Sequence, residues 1–198
     1  MQDQLSMLTP MLTLPEQLHT ERLVLRAPCA ADAAFMFEAY TQDMAVARYM
    51  VWRPHRSVLE TEAFIAWCMQ AWAGGGAMPY VLAFRDNPHR PIGMLEARPS
   101  AHTVDMGYVL AGEHWRKGLM SEAIAAMVEA ALAQPACFRV QATCHVDNAA
   151  SARTLEKSGF VREGRLERYA INPNISDEPE PCFMYARCKP WNPFKNAC

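Results

Sequence analysis

This sequence lacks an excess of charge of either sign. In 198 residues, 19 Lys and Arg stand against 21 Asp and Glu, a formal net charge of −2. A chain so near neutral offers no broad basic face to displace counterions from phosphates, which argues against direct nucleic-acid binding. A local cationic site is still allowed. Long hydrophobic runs are also missing, and no apolar stretch approaches the ~20 residues that cross a bilayer. The opening MQDQLSMLTPMLTLPEQ has no cationic segment ahead of an apolar one and contains two prolines, unlike a secretory leader. No C-x-x-C pair occurs. The seven cysteines are odd in number and scattered, which argues against a disulfide framework or a cysteine zinc site and fits free thiols in a reducing cytoplasm. His102, His114 and His145 match no metal-ligand spacing, so no metal is expected. Neither G-x-x-x-x-G-K-[ST] nor a G-x-G-x-x-G after the first strand is present.

What is present is an ordinary globular composition, 51% hydrophobic and 20% charged, of a length that suits one domain over residues 1–198. ERLVLRAP alternates apolar and charged residues and reads as a strand over 22–26. AADAAFMFEAY reads as helical from Asp32. A second helix follows, with Ser57 and Glu60 at the spacing of a capping box, Phe64, Ile65, Cys68 and Trp72 at helical intervals, and Gly74 to Gly76 as its stop. MPYVLAFRD, IGMLEARPS and TVDMGYVLAG then read as three strands of an antiparallel meander, with NPHRP as the first turn. GLMSEAIAAMVEAALA is an amphipathic helix whose apolar stripe is Met120, Ile124, Met127, Val128 and Ala131. CFRVQATCHV is a strand. DNAASARTLEKSGF is a short helix with Asp147 as cap and Gly159 as stop, and two last strands surround NPNISDEPEP.

The segment EHWRKGLMSEA, residues 113–123, puts Arg116, Lys117 and Gly118 at the mouth of a helix. A helix start exposes unpaired N–H groups and the positive end of the dipole, where cations are locally unfavourable. They fit there if an anion lies between them and the N–H groups, with Gly118 letting it approach. A solvated helix start is the other reading. Further on, Asn148, Ser151 and Leu155 share one helix face, where an Asn and a Ser could hydrogen-bond an extended amide-bearing ligand or simply cap the helix.

The order of elements, WRKGLMSEA, the later N-x-x-S and LEKSGF together resemble the GNAT acetyltransferase superfamily, its RimJ/RimL-type branch in particular. The likeness runs from TERLVLRAP to FMYARCK, a core of about residues 20–189 with short extensions, and includes YMVWRPHRSVLETEAFI in the first half. It implies an α+β fold: a mostly antiparallel mixed sheet of about seven strands flanked by helices, with two strands splayed around acetyl-CoA. The family's loop pattern [Q/R]-x-x-G-x-[G/A] reads here as Trp115, Arg116, Lys117, Gly118, Leu119, Met120, so Trp115 and Met120 depart from it. By resemblance, the cofactor-binding residues are Tyr108, Val109 and Leu110 of the splayed strand, 115–120 with Ser121 in the pyrophosphate loop, and Asn148 and Ser151. Gly107 begins the GYVL stretch of that strand.

The implied reaction is direct attack of a primary amine on acetyl-CoA, with Ser151 as acid to the leaving thiolate and Asp105 or Glu96 as base. Ala170, with Glu167 nearby, stands where some members carry a further carboxylate. The acceptor is expected to be a protein or peptide N-terminal amine. A small amine (antibiotic, polyamine or amino acid) and a non-catalytic acyl-CoA-binding module are the alternatives. The protein is expected to be cytoplasmic, off the membrane, and a monomer or homodimer. Cys144 and His145 are neighbours on a strand, so they point to opposite faces and form no nucleophile–base pair. Trp52, Trp67 and Trp72 read mainly as core, with one or two free to line the acceptor pocket. Asp177, Glu178 and Glu180 either solvate a loop or draw cationic amines toward the entrance.

Overall fold

The computed structural model describes residues 12–191, so most of the stretch read for a leader, and Cys198, lie outside the described residues. In chain order the elements are β1 (Gln17–His19), β2 (Leu23–Arg26), α1 (Asp32–Met36) continuing as a π-helical turn over Phe37–Thr41, α2 (Met44–Ala47), α3 (Val58–Gly74), β3 (Met78–Phe84), β4 (Asn87–Ser100) and β5 (Thr103–Leu110). A 3-10 turn at Gly112–His114 leads to α4 (Leu119–Ala133), β6 (Arg139–His145), α5 (Ala149–Lys157), β7 (Val161–Ile171) and β8 (Pro179–Cys188). The strands form an eight-stranded sheet in the order β1-β2-β3-β4-β5-β6-β8-β7. The pairs are antiparallel except β5 with β6, which run parallel. The meander expected from the three successive apolar runs is β3-β4-β5.

Alternation along the strands sends side chains to two apolar layers. On one face Leu25, Leu82, Leu95, Val104, Met106 and Val140 pack against Ile124, Met127, Val128 and Ala131 of α4 and Leu155 of α5. On the other, Val81 and Met94 pack against Ala33, Met36, Tyr40, Ile65 and Cys68 from α1, its π-helical continuation and α3. The stripe read for α4 is therefore its buried face. One ion pair fixes the start of the second layer. The Asp32 carboxylate, 1% exposed, accepts from Arg26 Nη2 at 2.6 Å, Arg26 Nη1 at 2.9 Å and the Cys29 N–H at 2.8 Å.

Three local readings are corrected. Ser57 stands at the N-cap of α3 with an extended backbone, but its side chain makes no capping bond, and Glu60 reaches past it to the Arg56 N–H at 3.1 Å. NPHRP is not a turn. Phe84 pairs with Asn87, so the turn is Arg85 and Asp86, and Pro88 and Pro91 lie inside β4. They are tolerated because β5 joins β4 only from Gly93 onward, which leaves the earlier part of β4 a local edge that needs no N–H on that side. The cap of α5 is Asn148, whose Oδ1 accepts from the Ser151 N–H at 3.1 Å, while Asp147 sits one residue outside the helix. Gly159, at φ +81°, follows the C-cap Ser158 in the left-handed conformation that ends the helix.

Candidate active site

β5 pairs with β4 along its whole length, and β6 with β8 along its own. Between β5 and β6 the ladder covers only residues 103–106 against 139–142. Beyond Met106 and Ala142 the two strands part, and residues 107–110 and 143–145 border an open gap. Gly93 makes the parted half of β5 possible. A Cβ there would meet the Val109 carbonyl oxygen at 2.4 Å and Leu110 Cα at 3.1 Å. Only glycine lets β4 follow β5 that closely.

At the end of β5 the chain turns through the cationic loop. The Trp115 indole N–H donates to the Leu110 carbonyl at 2.8 Å, so the residue that departs from the family pattern ties the loop to the strand it follows. Arg116 and Gly118 are both left-handed, at φ +62° and +75°, and right-handed helix begins at Leu119. Such a change of hand is the backbone pattern that, in general, gathers N–H groups into a concavity suited to an anion. The first intrahelical bond is from Glu122 N–H to the Gly118 carbonyl, which leaves the N–H groups of Leu119, Met120 and Ser121 without helical partners. The Leu119 and Met120 side chains are buried in the core, while Arg116, Lys117 and Gly118 are exposed. Met120 can replace a small residue because its side chain leaves by the opposite face.

A clasp from the turn between β1 and β2 holds this loop. Glu122, in the first turn of α4, accepts from the Arg22 N–H at 2.9 Å and Nε at 2.7 Å and from the Thr20 hydroxyl, and pairs with Arg22 Nη2 at 2.6 Å. Arg22 Nη1 then donates to the Lys117 carbonyl at 3.0 Å. Burial pushes the Glu122 carboxyl up, but the bonds from Thr20 and Arg22 outweigh it and hold it below its usual 4.5.

The gap opens into a cleft of about 380 Å³. On one side stand Tyr108, Cys144, Asn148 and Ser151; on the other, Trp52, His55, Phe64 and Trp67; Glu96 and Arg98 lie in the floor. The Tyr108 and Ser151 hydroxyls share a hydrogen bond of 2.7 Å. Burial pushes the Tyr108 phenol well up, against the opposing bond from Ser151. Burial likewise takes the Cys144 thiol up to about 11, so this cleft-lining sulfur is a neutral thiol at physiological pH. Asn148 spends its Oδ1 on the helix cap and lines the cleft. His145 Nδ1 accepts from the Asp147 N–H at 3.1 Å, which places the proton of the neutral ring on Nε2. That Nε2 is buried without a hydrogen-bond partner, 3.8 Å from the Glu180 carboxylate.

The two carboxylates named as bases share one cation. Arg98 pairs with Glu96 and with Asp105, and Asp105 also accepts from Gln141 Nε2 at 3.3 Å. Glu96 lines the cleft; Asp105, one strand over, is not among its lining residues. Glu167 pairs with Arg165 at 2.7 Å on β7, also away from the lining. Of the tryptophans, Trp52 and Trp67 line the cleft, and Trp72 packs edge-on against Tyr80 with ring centroids 4.7 Å apart.

The acidic loop is not an open cluster of charge. Asp177 pairs with Arg53 at 3.0 Å, Glu178 with Arg168, and Glu180 faces His145. The loop's asparagines are its structural part: Asn172 donates to the Tyr49 carbonyl at 3.0 Å, and Asn174 to those of Ala47 at 2.7 Å and Trp52 at 2.8 Å. Sequence reasoning missed Arg98, Tyr40 and the Tyr108–Ser151 bond, because each depends on which elements become neighbours, and it weighed His145 only as a metal ligand or a partner of Cys144. Among the described residues no group of three or more His, Cys, Asp or Glu is placed to hold a metal ion, and no helix is long and apolar enough to cross a membrane.

Comparison with known proteins agrees with this geometry. The model of the acetyltransferase (GNAT) domain matches residues 22–161. The N-acetyltransferase YoaA of Bacillus subtilis (strain 168), itself of uncharacterised role, is 29% identical over 175 residues, 87% of this chain and 97% of its own. Among solved structures, the microcin self-immunity acetyltransferase MccE, in complex with acetyl-CoA and AMP, superposes with a TM-score of 0.76 at 20% identity, over 85% of this chain and 93% of its own. RimL, a ribosomal α-N-protein acetyltransferase in complex with coenzyme A, gives 0.72 at 20% identity, over 90% and 98%.

Proposed function

Since the chain belongs to the GNAT acetyltransferase family, whose donor is acetyl-CoA, we propose that it acetylates the α-amine at the N-terminus of a protein or peptide. The observation that carries this reading is one continuous cleft, which joins the parted half of β5 to a pocket walled by α3; the first part suits a donor channel and the second an acceptor channel. The likeness to RimL, which acts on an α-amine, supports the choice of acceptor and the RimJ/RimL-type branch.

The residues present fit the donor. Its pyrophosphate would lie on the N–H groups of 116–120, with Arg116 and Lys117 adding charge. The unpaired edge of 107–110 would receive the pantetheine amides as a strand receives a partner, and Asn148 Nδ2 would donate to the same arm. The amine must be neutral to attack. Glu96 is the better placed base, since it lines the cleft and Asp105 does not. In the transfer the amine nitrogen would bond to the thioester carbon and give up a proton toward Glu96, the carbon–sulfur bond would break, and the Ser151 hydroxyl would supply the proton for the leaving thiolate. The Tyr108 hydroxyl, 2.7 Å away, can replace that proton.

Acetyl-CoA-dependent release of free CoA, with and without peptides, tests this. Release that rises with peptide is expected. Ser151→Ala should lower kcat by roughly 10²-fold with little change in KM for acetyl-CoA, and Tyr108→Phe by less. Tight acetyl-CoA binding with no release on any peptide or small amine would leave a binding module and overturn the proposal.

A further inference from the structure

The acceptor half of the cleft is built as an aromatic wall over a charged floor. Trp52, His55, Phe64 and Trp67 follow one another with ring centroids 5.6, 6.2 and 6.0 Å apart, the last pair stacked. The array is fixed in place. His55 Nδ1 is bonded at 2.7 Å to the Thr61 hydroxyl, which is bonded at 3.0 Å to that of Thr41, and both threonines are buried. Burial lowers the His55 pKa, so the ring is neutral at physiological pH and the wall carries no charge. Trp67 is half exposed, in spite of its size, because it faces the cleft rather than the core.

Below the wall, the Glu96 carboxylate in the floor pairs with Arg98, whose guanidinium is shared with Asp105, one strand over and outside the lining. Tyr40, also in the lining, is 1% exposed, and its hydroxyl has no hydrogen-bond partner. A cleft with a carboxylate in its floor whose cation is shared with a second carboxylate, apolar rings along its side and a buried hydroxyl left unpaired is shaped for a ligand with a cationic head and an apolar body.

We infer that the preferred acceptor is a primary amine with an aromatic or bulky apolar group beside it, a peptide beginning with Phe being the representative case. The amine sits at Glu96 and the side group lies on the rings of Phe64 and Trp67. The inference rests on the acetyl-transfer reading above and narrows it. Small first residues such as Ser or Ala leave the wall unfilled. Polyamines and other polar polycations have nothing to place on it, and in the acidic loop Asp177 and Glu178 are already paired with Arg53 and Arg168.

The test is an acceptor panel read by CoA release: four peptides that differ only in a first residue of Ser, Ala, Leu or Phe, then 2-phenylethylamine, ethylamine and spermidine. The Phe peptide should exceed the Ser peptide in kcat/KM by roughly 10- to 100-fold, the worth of burying one aromatic side chain. 2-Phenylethylamine should exceed ethylamine by a similar factor. Trp67→Ala and Phe64→Ala should each shrink the Phe-to-Ser ratio several-fold. In parallel, binding of the Phe and Ser peptides to the CoA-loaded protein is measured by quenching of tryptophan fluorescence, without turnover. Equal or reversed preference in both assays, or spermidine as the best acceptor, overturns the inference and leaves acetyl transfer standing. Selective binding of the Phe peptide with no acetylation of any amine supports the aromatic site and removes the transfer reading instead.

Discussion

Replacing Glu122 by Gln should loosen the cationic loop without touching the loop itself. The carboxylate gathers the Thr20 hydroxyl and two N–H groups of Arg22, and Arg22 passes the constraint on to the Lys117 carbonyl. A hydrogen bond to a charged partner contributes about 1.5–3 kcal/mol where it is sheltered, and an exposed ion pair at most about 1 kcal/mol. With the Arg22 side chain 43% exposed and that of Glu122 18% exposed, the clasp should contribute about 2 kcal/mol. Glutamine keeps the shape but turns an amide donor toward a guanidinium. At pH 7 the variant should lose about 6 °C in Tm, at the 2–4 °C per kcal/mol usual for this size. If about 1 kcal/mol of that energy orders the loop, the Kd for acetyl-CoA should rise about fivefold. Differential scanning calorimetry and titration calorimetry read the two effects.

The pH dependence is a separate check. The native Glu122 carboxyl titrates below its usual 4.5, so the native state binds fewer protons than the unfolded chain in that window. Its contribution is complete above pH 4.5 and is lost as pH falls through the lower native value. Wild type and Glu122→Gln should therefore converge in acid. A variant as stable as wild type at pH 7, or a gap that persists unchanged at pH 3, would refute the clasp.

Gly93→Ala should destabilise the protein by about 3 kcal/mol or more, since the new methyl collides with the backbone of β5 and not with a yielding side chain, and it should disturb acetyl-CoA binding as well; chemical denaturation and calorimetry measure both. Cys144 should resist iodoacetamide at neutral pH and react with an apparent midpoint near 11, read by mass spectrometry across pH, and a midpoint near that of an ordinary thiol would contradict its burial. Asp32→Ala, which leaves the half-buried Arg26 unpaired, should cost about 3 kcal/mol of stability in a urea titration.

How much of this was legible in the sequence depends on how local its cause is. The stripe of Met120, Ile124, Met127, Val128 and Ala131 is a property of one helix and reads directly onto the buried face of α4. The left-handed stop at Gly159 is equally local. The cap of α5 slipped by one residue because Asp147 and Asn148 are both good caps, and the choice between them is made outside the helix, by the Asp147 N–H going to His145. The Ser57 box failed because the Glu60 carboxylate accepts from the Arg56 N–H, one residue before the cap, and the Ser57 side chain makes no capping bond. The prolines of β4 were misread because their strand is an edge only until β5 arrives. In the site, Ser151 and Glu96, named from the sequence as acid and base candidates, both line the cleft. Arg98, the cation that decides the floor's charge, could not be named, because its partners are on β4 and β5 and meet only when those strands pair.

The two halves of the sheet touch along four paired residues of β5 and β6, at one end of the cleft. At the other end, Asn172 and Asn174 of the β7–β8 connection reach across to carbonyls between Ala47 and Trp52, and the Tyr49 hydroxyl returns a bond to the Asp147 carbonyl at 3.2 Å. Mechanically this is an arch with both feet fixed. A sheet that parts on one side would, alone, behave as a hinge whose width drifts with temperature and load. Here the span across the opening sets that width from the far side, so the donor and acceptor walls form a channel of constant gauge. On the proposed function, traffic through such a channel would move along its length, CoA leaving by the loop end and the acetylated product by the aromatic end without the halves separating.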